Sequence, residues 1–209
     1  MTIAKTLSIA LLLALPGCAL TSKADPLSVR YFTPKWEAAS RVSERPSAEG
    51  PRLRLGQISS SSHLRNRIVY RSSDVEVAMY EDRRWTEKPE EYVRRALAQA
   101  LFEERPLVQA LAGAGPTLDV ELLAFDEVQR KDGRAARVTL HYAVQDDRSV
   151  LDAQRITVEV EIRGNPRDPE NMAAAMGAAL HDVAERLASR VASRLTTAGP
   201  GEAQASAAP

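Results

Sequence analysis

The single cysteine of the chain, Cys18, is its strongest intrinsic nucleophile, and it stands directly after Leu15-Pro16-Gly17. One thiol excludes an intrachain disulfide and any multi-cysteine zinc or iron–sulfur site. The other residue types that do chemistry are scattered. His63, His141 and His181 lie far apart with no second ligand at metal-binding spacing, and Asp182 points a different way round a helix from its neighbour His181. Asp146-Asp147 and the Glu159/Glu161 pair have the composition for acid–base work, but Asp-Asp is ordinary turn chemistry and alternate glutamates commonly solvate a sheet face. The serine run 59–62 offers hydroxyls without an activating base nearby in sequence. No Gly-x-Ser-x-Gly elbow, phosphate loop, dinucleotide fingerprint or His-Glu-x-x-His occurs. These observations predict no catalytic centre, no metal site and no cofactor.

Residues 1–17 read as a removable leader. Lys5 and the amino terminus form a short positive region, followed by nine mostly apolar residues, 7–15. That run is far shorter than the ~20 residues a permanent span requires. Leu15-Pro16-Gly17-Cys18 resembles a bacterial lipobox, with an apolar residue three positions before the cysteine and a small one directly before it. The chemistry needs a thiol because its sulfur takes a diacylglyceryl group. It needs glycine because the peptidase must approach the scissile backbone closely. Pro16 departs from the pattern, where Ala or Ser is more usual. The competing reading is an ordinary secretory leader with an incidental Cys18, which leaves an exported chain with an unpaired thiol. On the lipobox reading Cys18 is the lipidated first residue and 18–27 is a tether. Two or three acyl chains, at ~0.8 kcal/mol per buried CH₂, then give stable anchoring. Enteric-type sorting uses Asp after the cysteine for inner-membrane retention, so Ala19 favours the outer membrane, facing the periplasm.

The folded part is expected over 28–197, with 198–209, rich in Ala, Gly and Pro, as a disordered tail. The 28 Lys+Arg balance 28 Asp+Glu, and loss of the leader removes only Lys5. Without a basic excess, a nucleic-acid partner is excluded. Alternation predicts strands over 29–32, 52–58, 67–71 and 75–80, then around Leu118, Val120 and Leu122, over 136–144 and over 156–162. Residues 37–51 read as a connecting loop. Amphipathic helices are expected over 88–104, with Thr86 as cap, and 169–195. Tight turns at Lys131-Asp132-Gly133 and Asp146-Asp147 make the long strands antiparallel neighbours. The fold class is therefore α+β: a two-layer sandwich, with a largely antiparallel sheet and both helices on one face. Arg137, Thr139, His141, Thr157, Glu159 and Glu161 belong to the other face, toward water or a partner.

The stretch 66–89 interleaves Tyr70, Tyr80 and Trp85 with Arg67, Arg71, Arg83 and Arg84. Aromatics beside arginine are enriched in interface anchors. Tyr70, Arg71, Arg84 and Trp85 are thus the candidate partner contacts, and the region 51–90 the candidate partner-facing surface; the alternative for Trp85 is a plug between sheet and helix. Ile68-Val69-Tyr70-Arg71, a strand ending at Tyr80, then Arg84-Trp85-Thr86-Glu87 before a proline and an amphipathic helix resemble the ABC-type transport auxiliary lipoprotein family. The resemblance spans 31–195 and includes Leu53-Arg54-Leu55 with Ile58. Two positions depart: 59–62 lacks the proline often found there, and His63-Leu64 replaces the more usual Tyr-Leu. The resemblance implies an outer-membrane lipoprotein working with an ABC permease and ATPase on separate chains and an MCE-type substrate-binding protein, in phospholipid traffic between membranes. It implies no catalysis in this subunit, and some members form homo-oligomeric rings. Two other classes remain: an assembly-factor lipoprotein for an outer-membrane lipopolysaccharide or secretin complex, and a periplasmic enzyme.

Overall fold

The computed structural model describes residues 27–36, 50–112, 115–165 and 168–197. The leader, Cys18 with the tether up to residue 26, most of the loop 37–51 and the tail 198–209 lie outside them. In chain order the elements are β1 (Arg30–Phe32), β2 (Arg52–Ser60), β3 (Arg67–Arg71), β4 (Ala78–Trp85), α1 (Pro89–Ala98), β5 (Val108–Gln109), β6 (Thr117–Arg130), β7 (Gly133–Gln145), β8 (Val150–Glu161) and α2 (Pro169–Thr197).

Strand β6 organises the sheet. Along one side it pairs antiparallel with β7 over its whole length, and β8 continues the meander antiparallel to β7. The other side is shared end to end: β2 runs parallel to the first half of β6 and β3 parallel to the second. Beyond these, β4 pairs antiparallel with β3, β1 parallel with β4, and β5 parallel with β2. The sheet is mixed, mostly antiparallel and open, with the long crossover from β3 to β6 passing through β4 and α1 as a parallel pair requires.

Both helices pack on one face, α1 against β2 and β6, α2 against β7 and β8. The alternation in β7 buries Ala136, Val138, Leu140, Tyr142 and Val144 under α2, whose Met172, Met176, Leu180, Val183 and Leu187 face the sheet. Arg105, just before β5, grips Glu185 of α2 with two hydrogen bonds of 3.1 and 2.9 Å, and this guanidinium holds the Glu185 carboxyl below the usual range.

The structure departs from local expectation at four places. In β6 the register shifts between Leu122 and Ala124, so Leu118, Val120 and Leu122 are followed on the helix face by Phe125, paired with Val138. One extra residue moves every later side chain to the opposite face. Strand β4 starts at Ala78 and runs on to Trp85, and a register shift against β3 absorbs additional residues. Ser59 and Ser60 belong to β2 rather than to a loop. The first helix is α-helical only to Ala98 and ends in a π-helical turn, Gln99–Glu103; its cap position is Lys88, while the Thr86 hydroxyl lies 2.7 Å from that of Tyr92.

Gly177 sits where α2 crosses the backbone of Lys35, and a β-carbon there would overlap the Lys35 main chain. Gly177→Ala adds about 1 kcal/mol of helix propensity. The overlap is with backbone and cannot be relieved by a rotamer, so a net destabilisation of about 1–3 kcal/mol is expected, read as a lower urea midpoint at unchanged slope.

Candidate functional site

None of the four predicted contact residues presents a free side chain. Trp85 is fully buried, edge-on to Phe125 at 5.2 Å and to Tyr92 at 6.3 Å, and so joins β4, β6 and α1 in the core. It plugs the sheet–helix junction and is out of reach of a partner. Arg84 donates from Nη1 to the carbonyl oxygens of Tyr80 (2.9 Å) and Arg83 (2.8 Å), closing the irregular part of β4 on itself. Tyr70 packs on Tyr80 with ring centroids 4.7 Å apart. Arg71 donates from Nε to Asp126 at 2.7 Å. The stretch singled out by its composition is thus largely a fastening between β3–β4 and the rest of the sheet.

Its counterpart went unrecognised in the sequence. Asp126 and Glu127, adjacent on β6, are both 0% exposed. The β6 register shift sends them to opposite faces: Asp126 pairs with Arg137 on the face away from the helices, Glu127 with Ala136 on the helix face. Asp126 accepts from Arg71 and, bidentately at 3.0 Å, from Nε and Nη2 of Arg137. Glu127 accepts from Arg134 (2.9 Å), Gln129 (3.0 Å) and the Tyr80 hydroxyl (3.1 Å). Burial, and next the Glu127 charge, push the Tyr80 phenol up to about 12, which keeps it a donor throughout the neutral range. Both carboxylates are surrounded by donors, an arrangement suited to holding strands. The doublet Leu122-Leu123, which breaks the alternation one turn of phase before Phe125, is the signal that points to this shift.

The exposed surface available to a partner lies elsewhere in the same region. Leu27, Val29 and Tyr31 lead into and occupy the edge strand β1, with Tyr31 65% exposed. Val75, 94% exposed, and Val77 occupy the connection between β3 and β4. Because β1 runs parallel to β4 with Arg30 beside Arg83, the residues before β1 point toward the same end of the sheet as that connection. Leu27 and Val29 therefore lead in from the side of that connection, whereas Tyr31, beside Arg84, lies at the far end of β4. Among the described residues no helix is long and apolar enough to cross a membrane, and no cluster of three or more potential metal ligands occurs.

Removing the Asp126 carboxylate leaves Arg71 and Arg137 facing each other over a buried gap. Asp126→Ala is expected to cost about 3–5 kcal/mol. Arg71→Met, which leaves the Arg137 pair intact, should cost about 1–3 kcal/mol. Denaturant titration of the two variants checks the order.

The sequence matches the model of the ABC-type transport auxiliary lipoprotein component over residues 35–188. No protein of curated function matches it. Among solved structures, that of protein XCC0632 from Xanthomonas campestris is similar at a TM-score of 0.67 and 16% identity, covering 81% of this chain and 98% of that one. The structure of the hypothetical protein CT253 from Chlamydia trachomatis is similar at a TM-score of 0.53 and 8% identity, covering 71% and 99%. At such identities these likenesses speak for the fold alone, but the family match spans the sheet from the approach to β2 through most of α2. The chain belongs to the ABC-type transport auxiliary lipoprotein family.

Proposed function

We propose that this chain is a non-catalytic auxiliary subunit of an ABC/MCE-type phospholipid transport system, anchored through acylated Cys18 to the periplasmic side of the outer membrane. The observation that carries this reading is the family match, joined to a lipobox-like cysteine a short way ahead of the folded domain. Leu27 follows Cys18 by nine positions, a reach of at most about 30 Å at full extension. An acylated Cys18 holds Leu27, where the described fold begins, within that distance of the bilayer. Confinement raises the local concentration of the domain at the end of a transport path. Permease and ATPase are assigned to separate chains, and the MCE-type protein is the direct partner. Within the partner-facing region 51–90, Val75 and Val77 take the contact role in place of Tyr70, Arg71, Arg84 and Trp85, since their side chains are exposed. The saturated state of Asp126 and Glu127 supports a binding role over a catalytic one.

Cys18→Ala is expected to abolish incorporation of a labelled fatty acid and to release the protein from membranes; label retained by the variant refutes the attachment site. A photo-crosslinker at Val75 is expected to capture the MCE-type protein in membranes under mild detergent. Val75→Asp with Val77→Asp should suppress native co-purification at least about tenfold while moving stability by no more than about 0.5 kcal/mol, as exposed substitutions do. Repeated absence of the MCE-type protein from crosslinked material overturns the transport role.

A further inference from the structure

The far edge of the sheet is remote from β1 and the β3–β4 connection, and it is formed by β8. β8 has 12 residues and pairs only with β7 among the described strands, so its outer row of backbone N–H and C=O groups faces outward. Natural edge strands are commonly shortened, bulged or interrupted by proline to prevent strand addition. β8 is long, contains no proline, and keeps an unbroken register with β7 from Asp152 to Glu161.

The centre of β8 reads Arg155-Ile156-Thr157-Val158-Glu159. Reversed, it offers the same pattern with the charges exchanged. Arg155, Thr157 and Glu159 are exposed on the face away from the helices; Ile156 and Val158 are buried beneath α2. A second β8 laid antiparallel about Thr157 sets Arg155 opposite Glu159 twice, Ile156 opposite Val158 twice, and Thr157 opposite itself. Opposite charges and β-branched pairs placed directly across a ladder are the favourable combinations. A slip of one residue sets Arg155 against Val158 and mismatches the faces. Arg155 has no carboxylate partner within the described part of its own chain, whereas Glu159 holds Arg130 at 2.6 Å. The Thr139 and Thr157 hydroxyls, 3.0 Å apart, extend the row of polar groups toward the axis.

The helix layer leaves room for this arrangement. Between β8 and α2 run two shallow depressions, one bordered by Val160, Ala174 and Ala178, the other by Gln154, Ser189 and Ser193. The axis at Thr157 lies between them, so each depression of one copy faces the other kind on the second copy; Glu161 and Arg163 also line the first depression, and Asp152, Arg190 and Arg194 the second.

We infer that this protein forms a two-fold dimer by antiparallel pairing of β8 with β8 of a second copy about Thr157, making one continuous sheet. This goes beyond the proposed function and does not depend on acylation. It is tested on the full mature chain carrying Cys18→Ser, in which an introduced cysteine is the sole thiol. Sedimentation should show a concentration-dependent dimer. Thr157→Cys should give a covalent dimer with a short bis-maleimide, and Val150→Cys, away from the axis, should not. Arg155→Glu and Glu159→Arg should each weaken self-association at least about tenfold. Mixed together they should associate again, because every cross-strand pair is then complementary. Circular dichroism of each variant separates loss of association from loss of fold. A chain monomeric at every concentration, an oligomer in which Thr157→Cys does not crosslink, or association indifferent to the charge exchange overturns the inference.

Discussion

A carboxylate with no exposed surface, Asp126, ties three strands of this sheet together. It takes Arg71 from β3 and both donors of an Arg137 fork from β7 while sitting on β6 itself. Burying a carboxylate costs several kcal/mol in lost hydration, and two partly exposed guanidiniums at 2.7–3.0 Å roughly offset that cost rather than exceed it. The net gain in stability is therefore small, while the penalty for any other pairing is large. A one-residue slip of β6 leaves a naked buried charge, and so does a β3 docked elsewhere. The interaction acts chiefly as a register lock, and it is set by the irregularity that turns Asp126 away from the helices.

The lock explains how one side of β6 accommodates two parallel partners. β2 and β3 share that side end to end, and neither buries enough of it alone to define its position. Apolar packing positions β2, through Leu53 and Ile58 beneath α1. Charge positions β3, through Arg71, and the Tyr70–Tyr80 stack with the Tyr80–Glu127 hydrogen bond carries the constraint into β4. Trp85 at the end of β4 then enters the core beside Tyr92, and β1 adds to the outside. The positions of β1 and of the β3–β4 connection, with exposed Tyr31, Val75 and Val77, thus depend on a buried charge cluster.

Much of this was legible in the sequence, and the rest was not, for one physical reason. β7 and α2 announce themselves because their burial periods, two and 3.6, complete several cycles within a single element. The candidate contacts were half legible: the Tyr and Arg residues of 66–89 stand out by composition, but composition does not tell an arginine that faces a partner from one that faces its own sheet. Asp126 is the deciding case. Its role rests on Arg71, 55 residues away, and on a register shift visible only as the doublet Leu122-Leu123. Long-range pairing of ordinary residue types leaves no local pattern. Val75 and Val77 were overlooked for the converse reason: they alternate like strand residues and so were placed in one, where the irregular β4 keeps them outside.

What these features share is a division of labour between the interior and the margins of the sheet. Among the described residues both buried carboxylates, Asp126 and Glu127, already have their donors, Trp85 is sealed in the core, and both helices are committed to one face. Recognition of another protein needs accessible surface, and this fold supplies it at its margins: exposed apolar side chains about β1 and the β3–β4 connection, and the outer side of β8, which pairs with β7 alone among the described strands. Asp126 and Glu127, by holding β3, β4, β6 and β7 in register, fix where those margins stand.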